Sequence, residues 1–243
     1  MSASLLLPLF WFLCLHFSSV LAHHSNAPPA GPSAHFTTLV VAHALICVLG
    51  FAICLPIGAL LARYLRTSRP WWYKGHWIAQ FGISGPIIVI GVALGMAASG
   101  VYGHTASDDH KNWGTIIFAL YFVQCGLGAV IHFFKPKNAY RRPAQNYLHA
   151  VLGLVILALG MWQIHTGYDQ EWPNYVGRGR FPDGVNSLWV MWCILLVISY
   201  AAGMWFIRKE FQQEAVLRLQ NGGTAYVAKN TYNMVDVGGR AQP

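Results

Sequence analysis

Charge is what this chain has least of. Asp, Glu, Lys and Arg make up 10% of its 243 residues, against about 25% in a soluble domain, which excludes an ordinary solvated surface. Acids are scarcer still, 8 against 16 Lys and Arg, and the formal net charge of +8 raises nucleic acid as a partner. The placement of the basic residues excludes that: they fall between long apolar runs, where membrane topology puts them. A disulfide framework is also lacking. Cys14, Cys47, Cys54, Cys125 and Cys193 all lie in apolar segments with no pairing pattern in a polar loop, and they read as small filling residues. No GxGxxG opens a helix after a strand, and the tail is too short for a flavin and nicotinamide domain. A self-contained flavin-linked reductase is therefore not expected.

Apolar length is what the chain has in excess. Five segments, at about 36–63, 77–102, 113–134, 147–167 and 187–207, reach the roughly 20 residues that span a bilayer as a helix. They predict an all-α membrane protein, a bundle of five transmembrane helices. Residues Leu5 to Ala22 form a shorter apolar stretch whose small residues Val20 and Ala22 suit signal-peptidase cleavage. An uncleaved N-terminal helix, the sixth of the bundle, is the alternative. The expected organisation is a signal segment over 1–22, a flexible Pro- and Ala-rich lead over 23–35, a membrane domain over 36–207 and a polar tail over 208–243. Within the tail, Arg208–Asn221 predicts a short helix ended by Gly222 and Gly223.

Orientation follows from the cations. Thirteen of the sixteen lie in or at the edge of the linkers Tyr64–Gly75 and Lys135–Asn146 and the tail; Lys111, Arg178 and Arg180 lie in the other two loops, with five of the eight acids. The basic linkers and the C-terminus are expected on the cytoplasmic side.

An ionisable residue in a membrane segment is a functional candidate. His43, His76, His110 and His149 fall one to each of the first four apolar segments, each expected at or just inside the start of its helix. Because successive helices alternate direction, His43 and His110 share one depth near the outer face, and His76 and His149 share another near the cytoplasm. Two imidazoles at equal depth suit the two axial positions of one haem iron. A single histidine at a helix end is more often an interfacial polar residue; four of them paired by depth favour ligation. His132 and His165 are expected to be interfacial or on another face, and His35 and His104 solvated. The glycines along these helices read as close helix contact or as room for a flat macrocycle. Trp71, Trp72, Trp77, Trp113, Trp172 and Trp189 read as an aromatic belt.

The stretches HALICVLGFAICLPIGALLARY, RPWWYKGHW, HKNWGTIIFALYFVQCGLG and RRPAQNYLHAVLGLVILALG resemble the cytochrome b561 family, in the five-helix form often fused to an N-terminal DOMON domain. Only the short lead precedes the first helix here, so the DOMON domain is expected to be missing. The resemblance covers about residues 36–207. It implies a four-helix core holding two haems b, with His43 and His110 on the outer one and His76 and His149 on the inner one. It also implies basic cytoplasmic residues that bind an ascorbate-like donor, for which Lys74, Arg141 and Arg142 occupy comparable loops. The expected function is transmembrane electron transport in a plasma membrane or endomembrane, from a cytoplasmic small-molecule reductant to an outer or luminal acceptor such as a ferric chelate or ascorbyl radical. An enzymatic type (ferric-chelate or monodehydroascorbate reductase) stays open, as does a homodimer. The competing expectations are a non-catalytic membrane scaffold and a haem subunit of another redox enzyme. Copper binding by a mature N-terminal His23-His24 is the least favoured.

Overall fold

Where lipid is the solvent, each backbone N–H and C=O must find its partner within the chain, and long apolar runs therefore become helices. The computed structural model describes residues 32–66, 68–102, 108–134, 143–206 and 212. Among these, five helices are long and apolar enough to cross a membrane: α1 (Ala34–Leu65), α2 (Trp72–Tyr102), α3 (Asp109–Phe133), α4 (Ala144–Val176) and α5 (Asp183–Met204). No strand occurs among the described residues. The protein is an integral, multi-pass membrane protein. The expected signal segment, most of the lead, His104, Arg141, Arg142 and the tail apart from Gln212 lie outside the described residues.

Two of the helix starts, those of α1 and α3, carry side-chain caps. The Ser33 hydroxyl accepts from the Phe36 N–H at 3.1 Å. The Asp108 carboxylate accepts from the Lys111 N–H at 2.8 Å and pairs with the Lys111 ammonium at 3.0 Å. Pro143 and Pro182 stand immediately before α4 and α5. α2 to α5 begin about one turn closer to the N-terminus than the apolar runs suggest. A helix can leave the hydrocarbon and continue through polar residues as long as its end groups are satisfied.

Three helices widen into π-helical turns, at Val48–Cys54, Ile78–Ile83 and Gly167–Val176. Prolines explain the location: Pro56 and Pro86 follow the first two closely, and Pro173 lies within the third. A proline has no N–H to give the carbonyl four residues back, and its ring collides with that carbonyl. Widening the turn relieves the clash and leaves carbonyls for other donors. Thus the Ala52 carbonyl, four positions before Pro56, accepts from Trp192 Nε1 of α5 at 3.0 Å. The Gln80 carbonyl in the second π segment accepts from the Tyr121 hydroxyl of α3 at 2.6 Å. The third π segment corrects the expectation of a polar loop from Gly167 onward. α4 stays helical through Val176 because Phe36, Ala98 and Val176 form a buried cluster with Tyr102, Trp172 and Tyr175 around it. Gly177, at φ 68°, then ends it, a conformation that suits glycine.

The helices pair as α1 with α2 and α3 with α4, while α1 also meets α4 and α5. Phe51 and Leu55 of α1, Ile88 of α2, Ile117 and Tyr121 of α3 and Ile156 of α4 form the central cluster, so the core is a four-helix one. Lipid tails are as apolar as these side chains, so dispersion and interhelical hydrogen bonds hold the bundle rather than escape from water. α5 docks on the side of α1 through Trp192, through Arg63 Nε donating to the Gly203 carbonyl at 2.9 Å, and through the Tyr64 hydroxyl donating to the Ser199 carbonyl.

Candidate cofactor site

Spacing along each hairpin sets the histidines at two levels. In the first hairpin, His43 Nδ1 meets the Gly91 carbonyl at 2.7 Å and His76 Nδ1 meets the Gly58 carbonyl at 2.8 Å. The interval from His43 to Gly58 in α1 equals that from His76 to Gly91 in α2. The two antiparallel helices therefore hold their histidines roughly 20 Å apart, at about 1.5 Å per residue. In the second hairpin, Gln163 Nε2 donates to the His110 carbonyl and Gln124 Nε2 donates to the His149 carbonyl at 2.7 Å. Here too the intervals match, from His110 to Gln124 in α3 and from His149 to Gln163 in α4. Both hairpins present imidazoles at matching levels, and the levels meet at both ends of the bundle.

The structure brings His43 to His110, with ring centroids 6.4 Å apart and planes at 78°. It brings His76 to His149 at 6.3 Å and the same 78°. Two nitrogen–metal bonds of about 2.0–2.1 Å, each with about 1.1 Å from nitrogen to ring centre, would set two imidazole centres about 6.3 Å apart across one metal. His43 lies further into its helix than the apolar pattern suggests, because α1 starts at Ala34, within the lead.

Hydrogen bonds set the tautomers. A carbonyl only accepts, so His43 and His76 carry their protons on Nδ1 and keep a lone pair on Nε2. His110 Nδ1 lies 3.1 Å from Thr166 Oγ1. The Thr166 hydroxyl donates its proton to the Gln163 carbonyl at 3.0 Å, which leaves the oxygen to accept from His110. This is how a metal-ligating imidazole is ordinarily oriented by its second nitrogen. The His149 Nδ1 is buried with no hydrogen-bond partner among the described residues.

Glycines seat three of the four rings. A Cβ at Gly95 would stand 2.7 Å from His43 Nδ1, one at Gly128 3.1 Å from His149 Cε1, and one at Gly167 3.3 Å from His110 Cε1. Some of the glycines read as plain helix contact are therefore ring seats, while Gly160 meets Phe51 and Gly50 meets Ile88. The Asp108 cap fixes the start of α3 just before His110. Burial alone would push its carboxyl up, but the Lys111 N–H and ammonium outweigh this and hold it below the usual carboxylate range.

The rival histidines lie elsewhere. His132 stacks on Tyr73, centroids 4.2 Å apart at 11°, His165 lies between Tyr168 and Trp189, and His35 is exposed. Lys74 is exposed in the first turn of α2, shortly before His76. Gln124, Gln163 and Thr166 are the site residues that the sequence reading missed. The matched His–Gln spacing was the signal available for the two glutamines.

Comparison with known proteins gives a concordant result. The sequence model of the eukaryotic cytochrome b561 family matches residues 42–173, which include all four histidines. Three cytochrome b561 and DOMON domain-containing proteins of Arabidopsis thaliana are 32%, 30% and 29% identical over 126, 146 and 129 residues. These alignments cover 51%, 56% and 52% of this chain and 30%, 35% and 31% of those proteins, so the chain spans about a third of the length of the curated relatives it matches. No solved structure matches.

The residues present fit the haem b that this family implies. Among the described residues no three or more His, Cys, Asp or Glu side chains converge on a metal position. A haem iron needs few protein donors, because its macrocycle supplies most of them, and imidazole is a regular haem ligand. The ring separations, the Nδ1-bound tautomers and the glycine seats all suit that donor set.

Proposed function

The chain belongs to the eukaryotic cytochrome b561 family of membrane proteins in haem-dependent electron transport, and on that premise we propose that it carries electrons from a cytoplasmic reductant to an acceptor on the outer or luminal face. In this reading His43 and His110 hold an outer haem b, and His76 and His149 an inner one. A haem b held by such a pair of imidazoles would supply one-electron transfer. The single observation that carries the reading is the pair of imidazole–imidazole separations, 6.4 and 6.3 Å, at opposite ends of one four-helix core.

The chain's own residues do the rest. The Gly91 and Gly58 carbonyls and the Thr166 hydroxyl orient the imidazoles and raise their basicity. Phe51, Leu55, Ile88, Ile117, Tyr121 and Ile156 fill the space between the levels with a buried cluster. Lys74, with Arg141 and Arg142, supplies positive charge for an anionic, ascorbate-like donor. The organisation that goes with this reading is a signal segment at 1–22, a cytochrome domain over 36–207 and a cytoplasmic tail from 208. The acceptor is a ferric chelate or an ascorbyl radical.

The test uses vesicles holding the full chain in one orientation. With ascorbate on the side of the C-terminus and a ferric chelate on the other, haem reduction should be followed by reduction of the chelate. Chelate reduction that is absent with both haems loaded, or equally fast with the sides exchanged, would overturn the proposed direction.

A further inference from the structure

α3 and α4 carry the same pattern, H-x3-G-x9-Q-x3-G. It reads His110, Gly114, Gln124, Gly128 in α3 and His149, Gly153, Gln163, Gly167 in α4, with one constant offset at every position. Each position has a physical job, and in each case it is done for the other helix. Gln124 Nε2 donates to the His149 carbonyl and Gln163 Nε2 to the His110 carbonyl. The first glycine after each histidine opens the way: a Cβ at Gly153 would stand 2.8 Å from Gln124 Nε2, and one at Gly114 3.2 Å from Gln163 Nε2. The last glycine seats the opposite ring, Gly128 under His149 and Gly167 under His110.

Antiparallel pairing makes this reciprocity follow from the spacing. Two identical motifs running in opposite directions place each glutamine beside the other's histidine when the His–Gln interval equals the separation of the two levels. At about 1.5 Å per residue that interval is roughly 21 Å, close to the one that the first hairpin sets independently through its His–Gly bonds. A helix carbonyl has two lone pairs, so the histidine carbonyl can hold its helical N–H and accept the amide as well.

We propose that Gln124 and Gln163 are positioning residues for the two haem-ligating levels, each clamping the main chain of the histidine on the opposite helix. This rests on the assignment of the four histidines as ligands. Gln124 belongs to the helix that carries His110, yet acts on the level of His149; Gln163 belongs to the helix of His149, yet acts on that of His110. The clamp fixes the height and rotation of the ligand's backbone, and the glycine seat fixes its ring.

Gln124→Met and Gln163→Met keep the side-chain length and remove the amide. In each full-length variant and in wild type, haem content, redox titration and the low-spin electron paramagnetic resonance signal of each haem are measured, with His→Ala variants naming the signals. Gln124→Met should shift the signal and the ferric-to-ferrous equilibrium of the His76/His149 haem by about tenfold, close to 59 mV for one electron, and leave the other unmoved. Gln163→Met should do the converse. Where a variant does not accumulate, Gly153→Ala displaces the Gln124 amide and should shift the His76/His149 haem, and Gly114→Ala displaces the Gln163 amide and should shift the His43/His110 haem. Two haems in wild type with both shifted, neither shifted, or only the haem opposite to the one named for that variant shifted would overturn the clamp alone. A wild type lacking two low-spin haems would overturn the ligand assignment and the clamp with it.

Discussion

Adding one methyl group at Gly95 should damage one haem level and leave the other intact. In a helix interior Gly→Ala ordinarily stabilises by up to about 1 kcal/mol. At Gly95 the new Cβ would stand 2.7 Å from His43 Nδ1 and 2.8 Å from Cε1. To reach ordinary contact the imidazole must retreat by about 0.7 Å, and its bond to the Gly91 carbonyl, now 2.7 Å, can stretch to about 3.4 Å, past the usual range of about 2.7–3.2 Å. A forced shift in a filled core costs about 1–3 kcal/mol, and a buried carbonyl or N–H left unpaired costs a similar amount. After the helix gain, a net penalty of about 1–5 kcal/mol remains, and about 1.4 kcal/mol is already a factor of about 10 in the population of the competent geometry. Gly126→Ala is the control, since no atom lies within 4 Å of its Cβ position. Gly128→Ala and Gly167→Ala, at 3.1 and 3.3 Å from their rings, should fall between in that order. Haem content by pyridine haemochrome and thermal melting of the purified variants provide the assay. If Gly95→Ala keeps both haems and melts above wild type, as Gly126→Ala should, the seat reasoning is wrong.

Two further outcomes follow from the fold. Trp192→Phe removes the donor that satisfies the Ala52 carbonyl freed by Pro56; it should cost about 1–2 kcal/mol, seen as a lower melting temperature with both haem spectra unchanged, whereas loss of a haem would make α5 part of the site. A reporter placed after Pro243 should be reached only from the cytoplasmic side, as the distribution of Lys and Arg requires; access from outside would reverse the orientation and exchange the two levels.

The parts of the fold legible in the sequence are those set by composition over long windows. Apolar length gives five helices, and alternating direction brings His43 to His110 and His76 to His149, because both follow from sums over many residues. The parts that escaped depend on single partners. Gly167–Val176 contains Asp169, Gln170 and Glu171 and reads as a loop, yet Val176, Trp172 and Tyr175 have Phe36, Ala98 and Tyr102 to pack on and so keep the helix going. Pro56 was visible, but its consequence, a widened turn whose Ala52 carbonyl is claimed by another helix, needs that helix in place. Gln124 and Gln163 look like ordinary polar residues in an apolar run until α3 and α4 are laid antiparallel in register. The glycines divide between ring seats and helix contacts only once the side chain opposite each is known.

The central claim is two bis-histidine haem levels in one four-helix core. Pyridine haemochrome analysis with redox-resolved spectra of wild type and six single alanine variants tests it most directly. Wild type should carry two haems per chain. His43→Ala and His110→Ala should lose the same haem, His76→Ala and His149→Ala the other, and His132→Ala and His165→Ala neither. A wild-type value near one or zero, or loss of a haem in His132→Ala with none lost in His76→Ala, would contradict the account.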